Sequence, residues 1–172
     1  MIGDPAVVGL VALTEIDLDE VEQFMTEGEV ARWWPDFDRG EIRSFIEGGY
    51  VTPFRVVAEG ATVGYAHVYH ANMDEFWVAF GVPRATFGID LSIGVASARN
   101  RGVGRAAVRL LVDRLFAWRE VVRLQIDPDA DNARAIRAYG AVGFVARGLY
   151  PGYDGETMLY MTIERVSART SR

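Results

Sequence analysis

The period of the hydrophobic positions changes several times along the chain, and each change marks an element. Val7 to Leu13 is a short apolar run that predicts a first strand. Leu18, Val21, Phe24 and Met25 recur at helical spacing behind Asp17, a candidate N-cap. Trp33-Trp34-Pro35 breaks that region. Asp38 can cap a second helix bearing Ile42, Phe45 and Ile46, which stops at Gly48-Gly49. Phe54–Ala58 and Thr62–Tyr69 are β-rich runs around Glu59-Gly60 and predict a hairpin. Residues 71–86, with Gly81 and Pro83, read as a long irregular loop before a strand over Phe87–Val95.

In the second half, Gly102 opens a helix through Trp118. Val103, Ala107, Leu110, Leu111, Leu115 and Trp118 form its apolar face. Arg109 and Asp113 lie four apart on its wet side. Val121–Ile126 is a buried-type strand ending at Asp127-Pro128. A helix follows from about Asn132 to Ala141, and Thr157–Ile163 closes the sheet. This order predicts an α/β domain with a mixed sheet.

A chain of 172 residues suits one domain with one sizeable core, with Ser167–Arg172 as a loose tail. No stretch approaches the ~20 consecutive apolar residues that span a bilayer. Met1–Leu13 lacks a basic n-region, so neither a membrane partner nor a secretory leader is expected, and the cytoplasm is the simplest location. The sequence has no cysteine, which excludes disulfides, a thiolate nucleophile and cysteine-based metal sites. His67 and His70 alone do not make a zinc site, so no metal is expected. They lie three apart, on opposite faces of a strand, and receive no role here. The net charge of −6 argues against a nucleic-acid partner. It fits a cationic small molecule, and equally fits an acidic surface kept for solubility.

The chemistry concentrates at Arg99-Asn100-Arg101-Gly102-Val103-Gly104. A strand, a turn and a helix opening with two glycines make an anion cradle, because several backbone N–H groups can face one phosphate at a positive helix end. Arg99, Arg101 and Arg105 add three cations. A P-loop would need Gly-Lys-Ser/Thr, but Arg105-Ala106 follow Gly104. Gly102-x-Gly104-x-x-Ala107 fits a dinucleotide fingerprint, and Asp127 stands near its ~20-residue acidic offset. However, Ala96–Arg101 separate strand from glycines, and too little chain remains for repeated βαβ units. A purely structural helix start remains the other alternative.

Arg99-x-x-Gly102-x-Gly104-Arg105-Ala106 resembles the pyrophosphate-binding motif of the GNAT acetyltransferases. Asn132-Ala133-Arg134-Ala135-Ile136-Arg137-Ala138-Tyr139 with Gly143-Phe144 resembles that family's second signature. The likeness runs from about Leu10 to Glu164. Within the superfamily, Val30–Trp34, Val51–Phe54, Gly64–Ala66, Gly88–Asp90, Gln125–Pro128 and Tyr153–Gly155 resemble the aminoglycoside 6′-N-acetyltransferases. The loop from Asn72 to Thr86 departs from that pattern.

The resemblance implies the GNAT fold, with a largely antiparallel mixed sheet, and acetyl-CoA as cofactor. It implies that the backbone of Ile93 and Val95 meets the pantetheine arm, and that the amides from Arg101 through Gly102, Val103, Gly104 and Arg105 to Ala106 meet the pyrophosphate. Asn132, a candidate N-cap, would also contact the CoA arm. An amine must lose a proton before it attacks a thioester, and the leaving thiolate benefits from a donor. The resemblance implies Asp90 as base, or as anchor and base through water, and Tyr139 as acid. Asp90 interrupts an apolar stretch, so a partner for its carboxylate is expected; the alternatives are a wet strand face or an arginine pair. By pattern alone Tyr139 is a core aromatic, Asp127 a turn cap and Asp154 a turn residue. As a group, Asp74, Asp90, Asp127 and Asp154 would line an acidic acceptor cleft. Trp33 and Trp34 read as loop aromatics, one to stack on a sugar and one to pack beneath. The expected partner is a cationic small-molecule amine, and the expected assembly a monomer or homodimer. Protein N-termini, lysines, siderophore-precursor amines and a non-catalytic acyl-CoA sensor are the competing readings.

Overall fold

The computed structural model describes residues 7–26, 28–152 and 155–165. Its strands are β1 (Val8–Ala12), β2 (Val51–Ala58), β3 (Ala61–His70), β4 (Thr86–Ile93), β5 (Arg123–Ile126), β6 (Val145–Pro151) and β7 (Thr157–Glu164). Its helices are α1 (Leu18–Met25), α2 (Gly28–Trp33), α3 (Arg39–Glu47), α4 (Glu75–Phe80), α5 (Val103–Phe116) and α6 (Ala133–Gly140). The strands form one sheet in the order β1-β2-β3-β4-β5-β7-β6. Only β4 and β5 run parallel; the other neighbours are antiparallel. That arrangement matches the mixed, largely antiparallel sheet expected and excludes the all-parallel dinucleotide fold.

The β2–β3 hairpin turns on Glu59 and Gly60, both with positive φ, which matches the strand twist. Side chains of β3 then alternate between two cores. Ala66 and Val68 join the larger cluster beneath α5, with Ala107, Val108, Leu111 and Leu115. Tyr65 faces the opposite side, against Leu18, Val21, Met25 and Ile42 of α1 and α3. Tyr69, on the same face, joins an aromatic cluster with Trp77 and Tyr160.

Several elements differ from the pattern-based expectation. The segment read as a loop over 71–86 holds a 3₁₀ turn (Ala71–Met73) and α4. Asp74 caps α4 by accepting from the amides of Phe76 and Trp77, at 2.9 and 3.2 Å. Asp17 does not cap α1 with its side chain; its carboxylate accepts from the amide and hydroxyl of Thr14 instead. Leu110 and Trp118 stand exposed, because the buried stripe of α5 is carried by Val103, Ala107, Val108, Leu111, Val112 and Leu115. Trp33 is the last residue of α2 rather than a loop residue. Among the described residues, no helix is long and apolar enough to cross a membrane.

Candidate active site

The cleft begins where β4 and β5 stop pairing. Their parallel register covers only Thr86–Gly88 against Arg123–Gln125. Beyond it β4 continues to Ile93, while Asp127, Pro128 and Asp129 leave the end of β5. Both stretches line one cleft of about 880 Å³. It also receives α5's first turn, α6, and the two tryptophans at the end of α2, Trp33 and Trp34. A gap between strand ends is where α/β sheets place ligands.

One end of the cleft is built from the glycine turn. Gly102 takes the left-handed conformation (φ 81°) and starts α5. The amide of Ala106 closes on the Gly102 carbonyl at 2.9 Å. The amides of Val103, Gly104 and Arg105 have no carbonyl behind them in the helix, so they are available to an anion. Gly104 faces β4 closely: a Cβ there would stand 3.5 Å from side-chain atoms of both Leu91 and Ile93. Arg105 is exposed at the rim of the cleft. These features fit a diphosphate-bearing cofactor. Arg99 acts differently from a phosphate ligand. Its Nε donates to the Ile93 carbonyl at 2.9 Å, a second nitrogen donates to the Gly94 carbonyl, and a third pairs with Glu29 at 2.8 Å. Glu29 also pairs with Arg134 of α6 at 2.8 Å, so it ties the turn to both neighbouring helices.

Three of the expected cofactor residues lie outside this cleft. The amide of Val95 is taken by the Val63 carbonyl at 3.1 Å. Arg101 is exposed and pairs with Glu59 at 2.7 Å. Ala106 uses its amide within the helix start. Asn132 lines the cleft and caps α6, its side chain accepting from the Ala135 amide at 3.1 Å.

The middle and far end of the cleft are acidic and aromatic. Asp90 is half-buried on β4, its side chain 35 % exposed, with Oδ2 2.8 Å from Nε2 of His67. Its partner is therefore a histidine rather than the arginine considered above. Tyr139 is 6 % exposed and lines the same cleft. Burial, with the charges of Asp90 and Asp127, raises its pKa, so it stays a protonated donor. Asp127 is half-buried and accepts a hydrogen bond from the Tyr150 hydroxyl. Burial of its carboxyl, reinforced by the charges of Asp90 and Asp74 and opposed by that hydrogen bond, pushes its pKa up to about 8. Asp74 lines this end while it caps α4. Asp154 lies outside the described residues. Trp33 lies beneath the Arg32 guanidinium at 4.6 Å, and Trp34 packs edge-on against Tyr65 and His67, at 5.7 Å each.

Sequence reasoning offered Trp77, with Phe76, as a further pocket-wall aromatic, and Trp77 does line the cleft; it gave His67 no role and left out Glu29, Tyr69 and Tyr150. Tyr65, His67 and Tyr69 share a strand face at alternate positions, a signal that was available. That His67 sits directly across from Asp90 was not, because 15 residues (71–85) of non-strand chain join β3 to β4 and hide the register.

Fold and cleft together define an acyl-transfer scaffold, and comparison with known proteins supplies the family. A model of the Acetyltransferase (GNAT) domain family matches residues 14–150, and the chain belongs to that family. It is 31 % identical to an aminoglycoside N(6′)-acetyltransferase type 1 from Serratia marcescens, over 96 % of this chain and 87 % of that one. A kanamycin resistance protein from Rhizobium radiobacter is 39 % identical over 48 % of this chain and 77 % of its own. Among solved structures, aminoglycoside acetyltransferase AAC(6′)-Ib in complex with coenzyme A and kanamycin superimposes with a TM-score of 0.83. That match has 31 % identity and covers 92 % of this chain and 95 % of the other.

Proposed function

We propose that this chain transfers the acetyl group of acetyl-CoA to the 6′-amine of an aminoglycoside. The observation that carries the reading is the polarity of one continuous cleft. Its glycine turn carries Arg105, with Arg99 and Arg134 tied together through Glu29, and the same cleft is lined by the carboxylates of Asp36, Glu41, Asp74, Asp90, Asp127, Asp129 and Glu156. Strand β4 links the two: Ile93 lies against Gly104, and Asp90 comes three residues earlier, just beyond the last β4–β5 pair. The solved structures of aminoglycoside acetyltransferase AAC(6′)-Ib with coenzyme A, and with coenzyme A and kanamycin, support the same acceptor and donor.

Acetyl-CoA supplies an activated thioester, held by the amides of Val103, Gly104 and Arg105 and flanked by Asn132. The carboxylates bind the ammonium groups of a polyamine sugar by charge-assisted hydrogen bonds, which repays the cost of desolvating them. Trp33 offers an apolar face to a sugar ring. Asp90 takes the proton from the reacting nitrogen, directly or through water. Tyr139 keeps its hydroxyl proton and presents it to the departing sulfur. Asp127, with its raised pKa, holds a proton before the acceptor arrives and loses it to solvent as an ammonium settles beside it.

The test is acetyl-CoA turnover followed by free-thiol release, across kanamycin-type sugars, linear polyamines and peptides. Turnover on the sugars is expected; thiol release with none of them overturns the reading.

A further inference from the structure

We infer that His67 is the positioning residue for Asp90, a role that rests on reading Asp90 as the base. The two residues face each other directly across the β3–β4 ladder. His67 Nε2 lies 2.8 Å from Asp90 Oδ2, and His67 Nδ1 lies 3.0 Å from the Tyr65 hydroxyl. These two contacts suit the tautomer that carries its proton on Nε2. Tyr65 is fully buried, and burial together with the charge of Asp90 raises its pKa, so its phenol keeps its proton. Among the described residues its hydroxyl has one hydrogen-bond partner, Nδ1. With Tyr65 donating to Nδ1, the ring proton sits on Nε2 and points at the carboxylate. The opposite tautomer would set a nitrogen lone pair against Oδ2.

The ring is itself immobilised. Trp34, Phe45 and Tyr69 meet it edge-on, with centroids at 5.7, 5.6 and 6.0 Å. Its side chain is 11 % exposed, whereas that of Asp90 is 35 % exposed to the cleft. A locked donor therefore holds one oxygen of Asp90, and the second oxygen has no bond to protein among the described residues. That second oxygen is left to face the acceptor. An N–H from an imidazole orients the carboxylate with one bond, whereas a guanidinium at the same place would add a charge that opposes proton uptake.

The test uses side-chain reach. Glutamine extends its amide nitrogen about as far as Nε2, while asparagine reaches only about as far as Nδ1. His67→Gln is expected to retain most of kcat. His67→Asn and His67→Leu are expected to lose about 10- to 100-fold in kcat, the cost of a misplaced catalytic group. KM for acetyl-CoA should stay unchanged in all three. In an Asp90→Asn background, His67→Leu should add no further loss, because both act through one carboxylate. Nitrogen-15 NMR of the unmutated protein gives an activity-independent check: His67 should show a protonated Nε2 and an unprotonated Nδ1. Equal activity in the Gln and Asn variants, losses that multiply in the Asp90→Asn background, or the reversed tautomer would each overturn the inference while leaving Asp90 as base. Unaltered turnover in Asp90→Asn alone would instead remove the base reading, and this inference with it.

Discussion

The ring of Tyr69 lies flush against Gly88, at the pair of strands where the sheet divides: a Cβ on Gly88 would stand 1.9 Å from Tyr69 Cζ. The two residues are also cross-strand partners. Glycine here serves close approach, since it lets a buried phenol cover the backbone beside the last β4–β5 pair. Gly88→Ala is expected to force the ring out of a filled core, at about 1–3 kcal/mol. That corresponds to a fall of roughly 2–12 °C in Tm for a chain of this size. Gly9→Ala, where a Cβ meets nothing within 4 Å, serves as the control and should leave Tm almost unchanged.

Asp127 couples stability to pH. Its folded pKa, about 8, lies above its ordinary value of 3.8. Between those limits the unfolded chain releases the proton and the folded chain retains it, so rising pH favours unfolding. The contribution is fully present below pH 3.8 and lost as pH passes 8. Asp127→Asn removes the titration, so the variant should gain on the unmutated protein in Tm between pH 5 and pH 8. Thermal melts at several pH values check this; a constant gap between the two proteins contradicts it.

The same group governs acceptor binding. An ammonium beside Asp127 favours its ionised form, so KM for the aminoglycoside should fall as pH rises toward 8. In Asp127→Asn that slope should flatten, while KM for acetyl-CoA follows the same profile in both proteins.

Arg99 illustrates how far the glycine motif could be read. Its position beside an anion cradle was legible, but its side chain is spent on the carbonyls of Ile93 and Gly94 and on Glu29. Arg99→Met leaves two backbone acceptors without their charged donor, a loss of about 1.5–3 kcal/mol per bond before relaxation. The expected outcome is a lower Tm and a KM for acetyl-CoA raised by roughly tenfold or more, the factor that 1.4 kcal/mol represents. Steady-state kinetics at saturating acceptor measure it.

Periodicity located most elements because burial imposes it: α5 and the β2–β3 hairpin follow from their apolar spacing and turn residues. Helix α4 escaped because six residues carry too little periodic signal, although Asp74 stood as its cap. Strand β6 was not delimited because it is an edge strand exposed at six of its seven positions, without the alternation that marks a half-buried strand. Motif resemblance drew together Asp90, Tyr139, Asp127 and the glycine turn, all of which line one cleft. Contacts between elements distant in sequence, such as Glu29 with Arg134 and His67 with Asp90, depend on register and packing that spacing alone does not contain.

The assigned chemistry predicts that Tyr139→Phe and Asp90→Asn each lower kcat by about 10²-fold or more, the scale of acid–base loss. Thiol-release kinetics at saturating substrates check this, and unchanged turnover in both variants removes their roles.

Structural identification of the product is the most direct measurement of all. After incubation with acetyl-CoA and a kanamycin-type sugar, NMR of the purified product should show a single new amide at the 6′-nitrogen, and an analogue bearing a 6′-hydroxyl should remain unmodified. Acetylation at a different nitrogen, or a sugar recovered unchanged, would contradict the assignment of this cleft.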